Sequence, residues 1–301
     1  MEELELIKRQ IGTAQELRTL VRVMKSVAAS QIAEYDQAVA SIEEYGRCVT
    51  AGLKIIMQHQ PRRESAPTGR LSRLGAIILG SDQGLCGDFN ERIADFAVAQ
   101  MEELKVPAQS RSILVVGERP AHYLEYSGHR IESHLPFVGE RLAVTRAILH
   151  VLEWVEVWRL RRSIERISLF YNRPTESATI EPVMQTLLPI DPAWLERLAT
   201  QPWPGRSIPT FSIDQNHLFA GLVRQHIFAT LYRAFIESLA SENTSRFRAM
   251  QAAQKNIDER LIELQAVHNR LRQSSITGEL LDITTGYQAV TSSREDPSAR
   301  H

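Results

Sequence analysis

Gly84-Leu85-Cys86-Gly87 is the first stretch of this chain where chemistry could sit. It follows a short apolar run, and a glycine-bearing turn after a strand can cradle phosphate on its backbone N–H groups. The spacing is wrong for that: there is no GxGxxG pattern and no Gly-Lys-Ser/Thr ending to bring a lysine to phosphate. A tight strand-to-helix turn is the simpler reading. Cys86 has no histidine close in sequence to activate it, so a structural thiol is expected. His122, His129 and His134 stand without a HExxH pattern or a cysteine pair and read as surface or turn histidines. Asn243-Thr244-Ser245 matches the glycosylation sequon but lies inside a helical pattern. Neither paired carboxylates nor a nucleophile triad can be found, so no catalytic residue, metal ligand or cofactor site is expected.

The composition is that of an ordinary globular protein: 301 residues, with 35 basic side chains against 36 acidic ones. That balance, with the charges interspersed, gives no footprint for nucleic acid. The short cluster Arg159, Arg161 and Arg162 reads as a solvated helix end. Cys48 and Cys86 lie far apart, which argues against a disulfide framework or a zinc site and for a reducing compartment. The acidic start Met-Glu-Glu-Leu-Glu has no signal or transit character. No apolar run approaches the ~20 residues that cross a bilayer, so a soluble chain without direct membrane insertion is expected.

Two very long helices must frame whatever lies between. From Leu4 to His59 the apolar residues Leu4, Ile7, Ile11, Ala14, Leu17, Val21, Met24, Ala28, Ile32, Tyr35, Val39, Ile42 and Val49 recur at mostly threes and fours, with no proline before Pro61. The capping-box matches at Thr13 and Ser41 fall inside this run and are discounted. A second run starts behind a capping box at Ser212-Ile213-Asp214-Gln215 and continues past Ile283, roughly 110 Å of helix if unbroken. Its seam includes Met250, Ala253, Ile257, Leu261, Leu264, Val267 and Leu271. The rhythm then lands on Ser275 and Gly278, where the first helix should have ended. Helices of this length cannot satisfy an apolar stripe alone, so an antiparallel left-handed coiled coil is expected.

Between them the texture changes. Leu74 to Gly80 and Ser112 to Gly117 read as buried strands, "SIERISLFYN" and "ATIEPVMQTLLPI" as two more, with helices over Glu91 to Leu104, ahead of "SGHR", and over Leu142 to Trp158. The stretch "DPAWLERLATQPWPGRSIP" reads as loop. The expected fold class is α/β, with the two terminal helices flanking a Rossmann-like α/β domain. The boundaries are 1–60 for the N-terminal helix, 61–73 for a linker and 74–208 for the α/β domain. The C-terminal helix follows over 209–290 and a flexible tail over 291–301.

Three separated segments then resemble one family. "VMKSVAAS" (Val23 to Ser30), the loop "SDQGLCGDFN" (Ser81 to Asn90) and the terminal "YRAFIESLASENTSRFRAMQAAQKNIDE" with "NRLRQSSITGELLDI" are similar to the gamma subunit of F-type ATP synthases, the central rotor shaft. Order, spacing and layout agree along essentially the whole chain. The resemblance implies a shaft that turns inside a ring of alpha and beta subunits, with epsilon and the membrane c-ring as further partners. It couples proton or sodium flow to ATP chemistry carried out by the ring. It also implies a peripheral place at the cytoplasmic face of a bacterial plasma membrane. By resemblance, Met24, Lys25, Arg272, Gln273, Thr277 and Glu279 contact beta subunits, and Ser81, Asp82, Gly84, Cys86, Gly87 and Asn90 form the family's loop.

Departures from the family pattern are local. Leu17-Arg18-Thr19-Leu20 stands where a Lys-Ile-Thr run is usual, Ser30 and Gln31 stand where basic residues follow, Asp88 replaces a glycine, and Gly278 takes a helix former's place. They point to a divergent bacterial branch, with the alternate sodium-type class in view. The chloroplast form's cysteine-bearing insert is missing, so thiol switching is not expected. Two other readings remain: a non-rotary coiled-coil scaffold with an α/β head, and an enzyme built on the Gly84 to Gly87 loop.

Overall fold

The computed structural model describes residues 2–59, 73–137, 141–175, 179–203, 205, 207 and 209–292. The expected linker, apart from Arg73, lies outside the described residues, as does the tail beyond Ser292. Helix α1 spans Glu2–His59, β1 Leu74–Leu79, α2 Phe89–Glu103, β2 Arg111–Val116, α3 Glu118–Tyr126 and β3 Ser133–Leu135. Then come α4 Arg141–Arg162, β4 Arg166–Pro174, β5 Ile180–Leu188, α5 Pro192–Thr200 and α6 Gln215–Ser292. The contacts fall into two compact units, one of Met1–Ser26 with Met250–His301 and one of Val27–Ala249.

In the first unit α1 and α6 run antiparallel, because Arg18 meets Asp258 while Lys25, later on α1, meets Gln254, earlier on α6. The inner face of α6 carries the anticipated seam: Met250, Leu261 and Leu264 are buried and Ala253, Ile257, Val267 and Leu271 half-buried. On α1 the seam departs from expectation at one position. Leu17 is 48 % exposed, and the neighbouring Arg18 turns inward to meet Asp258. Leu17 and Arg18 compete for one inward position, and the carboxylate opposite decides for the arginine; a charge can sit in a seam when it is paired there.

In the second unit five strands form one sheet in the order β3-β2-β1-β4-β5, parallel except for β5, which runs antiparallel to β4. The central strands read as continuous apolar runs because both faces are covered. One face (Ile77, Leu114, Leu169) packs on Val151, Val155 and Trp158 of α4 and on Leu231 and Phe235 of α6. The other (Ala76, Ile78, Val115, Phe170) packs on Ile93 and Met101 of α2 and Leu124 of α3. Helices on both faces of a mostly parallel sheet are the Rossmann-like arrangement that the alternating elements implied.

Three local readings change. The stretch read as loop holds α5: Asp191 caps it by accepting from the Ala193 N–H at 2.9 Å, and Pro192 opens it. Leu198 of α5 packs with Val49 and Leu53 of α1. The short β3 was not anticipated; three residues hold a strand only because β2 supplies the ladder. At the start of α6 the cap is Asp214, not Ser212, with Asp214 Oδ2 accepting from His217 N–H at 3.0 Å.

Candidate functional site

The loop after β1 is a knot of hydrogen bonds. Ser81 and Asn90 are buried, and the Asn90 amide serves Ser81 twice: Oδ1 accepts from the Ser81 N–H and Nδ2 donates to Ser81 Oγ, both at 2.9 Å. Ser81 Oγ donates in turn to the Gln83 carbonyl at 2.8 Å. Asp82 reaches across the C-terminal edge of the sheet, accepting from Glu118 N–H at 2.9 Å and Phe137 N–H at 2.7 Å, so one carboxylate ties the start of α3 to the chain after β3. Gly87 has φ of +62°, a conformation that side chains rarely adopt, and there the chain turns into α2. At Gly80 a Cβ would lie 2.4 Å from Pro120 and 2.7 Å from Asn90 Oδ1, so the loop closes only over a bare backbone.

Cys86 is 1 % exposed, with its sulfur 3.5 Å from the Asn90 amide and 3.7 Å from the Gln83 carbonyl. Burial pushes its thiol above the ordinary cysteine value, with the Ser81 hydrogen bond pulling weakly the other way. A buried thiol with a raised pKa is the opposite of an activated nucleophile. Gly84 lies beside the Arg119 guanidinium. Four of the loop residues named from sequence, Ser81, Cys86, Gly87 and Asn90, thus come together around one turn, and Asp82 extends the network to α3.

What the sequence did not disclose is the latch on α6. Ser245 Oγ donates to the Cys86 carbonyl at 2.6 Å, and Ser241, one turn earlier, donates to the Asn172 carbonyl at 3.1 Å. Asn172 Nδ2 then donates to the Phe89 carbonyl at 3.1 Å. Asn243, in the sequon match, is 2 % exposed and bonded to the Leu239 carbonyl, so it is closed to modification in this fold. Two serines four residues apart beside polar strand ends would have been the available signal.

The six expected coupling residues fall in the first unit. Met24 and Lys25 are half-buried, and Lys25 Nζ donates to Gln254 Oε1 at 2.7 Å. Arg272, Gln273, Thr277 and Glu279 are exposed on α6, and the Thr277 hydroxyl donates back to the Gln273 carbonyl at 2.9 Å. From Gln254 to Arg272 is roughly 27 Å of helix, so these are two separate groups. Counting back along α1 from Arg18 to Glu2, and forward equally along α6 from Asp258, reaches Ser274. That register sets the first described residue of α1 level with Ser274, and past it Ile276, Leu280, Leu281, Ile283 and Tyr287 are 47 to 71 % exposed. Leu6, Leu17, Leu20 and Val23 add exposed apolar side chains on α1. Such a surface fits a protein partner better than water.

Cys48 is exposed, and among the described residues no cluster of three or more His, Cys, Asp or Glu is placed to hold a metal. No helix among them is long and apolar enough to cross a membrane.

Comparison with known proteins agrees with this arrangement. A family model described as ATP synthase matches residues 3–290. The ATP synthase gamma chain of Polynucleobacter asymbioticus is 27 % identical over 288 residues, covering 94 % of this chain and 98 % of that one. That of Nitrosospira multiformis is 26 % identical over 289 residues, again 94 % and 98 %. Among solved structures, a chain of the Euglena gracilis mitochondrial ATP synthase (OSCP/F1/c-ring) superposes with a TM-score of 0.66 at 15 % identity, covering 100 % of this chain and 98 % of that chain. One from the Tetrahymena thermophila mitochondrial ATP synthase central stalk and c-ring gives 0.55 at 22 % identity, covering 78 % and 99 %.

Proposed function

This chain belongs to the ATP synthase family, among its gamma chains, and from that premise we propose that it is the rotating central shaft coupling ion flow to ATP synthesis or hydrolysis. Its partners in this reading are the alpha and beta subunits around the coiled coil, with epsilon and the membrane c-ring at the α/β domain. Its place is peripheral, at the cytoplasmic face of a bacterial plasma membrane. The chain carries no catalytic site of its own; ATP chemistry belongs to the ring. The proposed domain division keeps the segments 1–60, 61–73, 74–208, 209–290 and 291–301, with α1 at Glu2–His59 inside the first and α6 starting at Gln215 inside the fourth.

The observation that carries the proposal is the end of α6. A lone helix that sheds its partner near Ser274, and still presents Ile276, Leu280, Leu281 and Ile283, needs a sleeve. Small residues at Ser274, Ser275 and Gly278 keep it slim enough to turn there. Arg272, Gln273, Thr277 and Glu279 supply the polar contacts that favour particular angles, each charge-assisted bond contributing ~1.5–3 kcal/mol. Met24 and Lys25 form the second coupling group. Lys25 also bonds Gln254, so a beta-subunit contact there must share or displace that bond. A shaft does work only by stabilising one ring state over another, and contacts that differ with angle are how it can. The buried, unactivated Cys86 speaks against an enzyme on the Gly84 loop.

The test is truncation after Val267 in the assembled complex. Assembly or coupling should weaken, measured as ATP synthesis per ion gradient applied; full coupling in the truncated form would refute the role given to the tip.

A further inference from the structure

Between Glu16 and Glu34, helix α1 carries the cations Arg18, Arg22 and Lys25 and no acid. Two of them reach across to α6. Arg18 meets a carboxylate, Asp258, at 2.7 Å, and its charge is balanced there. Lys25, two turns further on, meets an amide instead: Nζ donates to Gln254 Oε1 at 2.7 Å. The residues one turn from Lys25 on α1 are Val21, Arg22, Ala28 and Ala29, none of them acidic. One turn from Gln254 on α6 the acid is Asp258, which Arg18 already engages.

The difference between the two partners is charge. A carboxylate at position 254 would hold the ammonium and cancel it; the amide holds it and leaves the full positive charge. An ammonium has three N–H donors and Gln254 takes one, so the others can serve an acceptor outside the chain. Lys25 and Gln254 are both half-buried, which fixes the group on the shaft while leaving it reachable. Arg22 nearby is exposed, and Leu20 and Val23 are each 55 % exposed. A held cation beside a second cation and exposed apolar groups complements an acidic segment of a protein partner.

We propose that Gln254 is a positioning residue for coupling: its amide fixes the Lys25 ammonium with its charge uncancelled, ready for an acidic side chain of the beta subunit. This rests on the reading of Lys25 as a beta-subunit contact and adds to it the residue that keeps the contact charged.

The test is ATP synthesis at a fixed ion gradient in the assembled complex, at low and high ionic strength, comparing Gln254→Glu and Lys25→Gln with the parent. Glutamate at 254 keeps the cross-helix bond and turns it into an ion pair, so thermal melting of the chain should not fall. Synthesis should nevertheless drop about two- to fivefold. Salt should weaken the parent more than Gln254→Glu, whose charge is already cancelled. Lys25→Gln should show the same loss. If Gln254 serves only to fix the register of the two helices, Gln254→Glu will synthesise at the parent's rate. That rate alongside an impaired Lys25→Gln overturns the proposal and leaves the beta-subunit contact standing. Full synthesis by Lys25→Gln removes the contact itself, and the role of Gln254 with it.

Discussion

Replacing Asn90 with alanine should open the loop between β1 and α2 without unfolding the long helices. Asn90 is 8 % exposed and gives Ser81 an acceptor for its N–H and a donor for its hydroxyl, each at 2.9 Å. Alanine removes both and leaves the Ser81 N–H buried without its acceptor. A buried group so orphaned costs about 1–3 kcal/mol, and the lost amide bond to Ser81 Oγ adds about 1 kcal/mol. The expected loss is about 3 kcal/mol of local stability. Cys86 reports it directly, because its sulfur is sealed under the same network and 3.5 Å from the Asn90 amide. Opening free energy reads out as thiol-labelling rate, so about 3 kcal/mol should accelerate Cys86 modification roughly hundredfold. The exposed Cys48 serves as an internal control whose rate should not change. A Cys86 rate within a factor of about two of the parent would refute the account of Asn90 as the centre of this loop.

Three further predictions follow from single contacts. Gly75→Ala puts a Cβ 2.6 Å from the ring of Trp158, itself fully buried, and should lower stability by about 1–3 kcal/mol in a denaturant titration. The Arg18–Asp258 pair is part-exposed, so a double-mutant cycle to alanine should return a coupling of only about 0.5–1 kcal/mol, decreasing with salt. Burial raises the Glu242 pKa against the opposing pull of Arg246. A raised folded-state value means stability present below the ordinary glutamate range and lost as pH rises through it. Glu242→Gln should therefore flatten the stability-versus-pH curve just above that range, as followed by thermal melts.

Period and composition made the large architecture readable, while pairings across distance stayed hidden. On α6 every seam position from Met250 to Leu271 faces inward as its spacing required, because a long helix has no other way to bury a stripe. On α1 hydrophobicity alone selects Leu17, and only the position of Asp258 on the other helix reveals Arg18 as the inward residue. Helix α5 was obscured by prolines around it, although Asp191-Pro192 is itself a helix start. The loop is recognisable in the sequence as a motif, without its bonds. Its attachment to α6 through Ser245 and Cys86 joins residues 159 positions apart, which no local pattern encodes. Because Cys86 is sealed, a probe meant to sit on the folded chain belongs on the exposed Cys48.

The central claim is rotation. The most direct measurement combines this chain with its alpha and beta subunits, attaches a bead through Cys48, and follows it during ATP hydrolysis. The account predicts assembly and stepwise, unidirectional turning of the bead. Hydrolysis by an assembled complex in which the chain stays still, or failure of the chain to bind competent alpha and beta subunits, would contradict it.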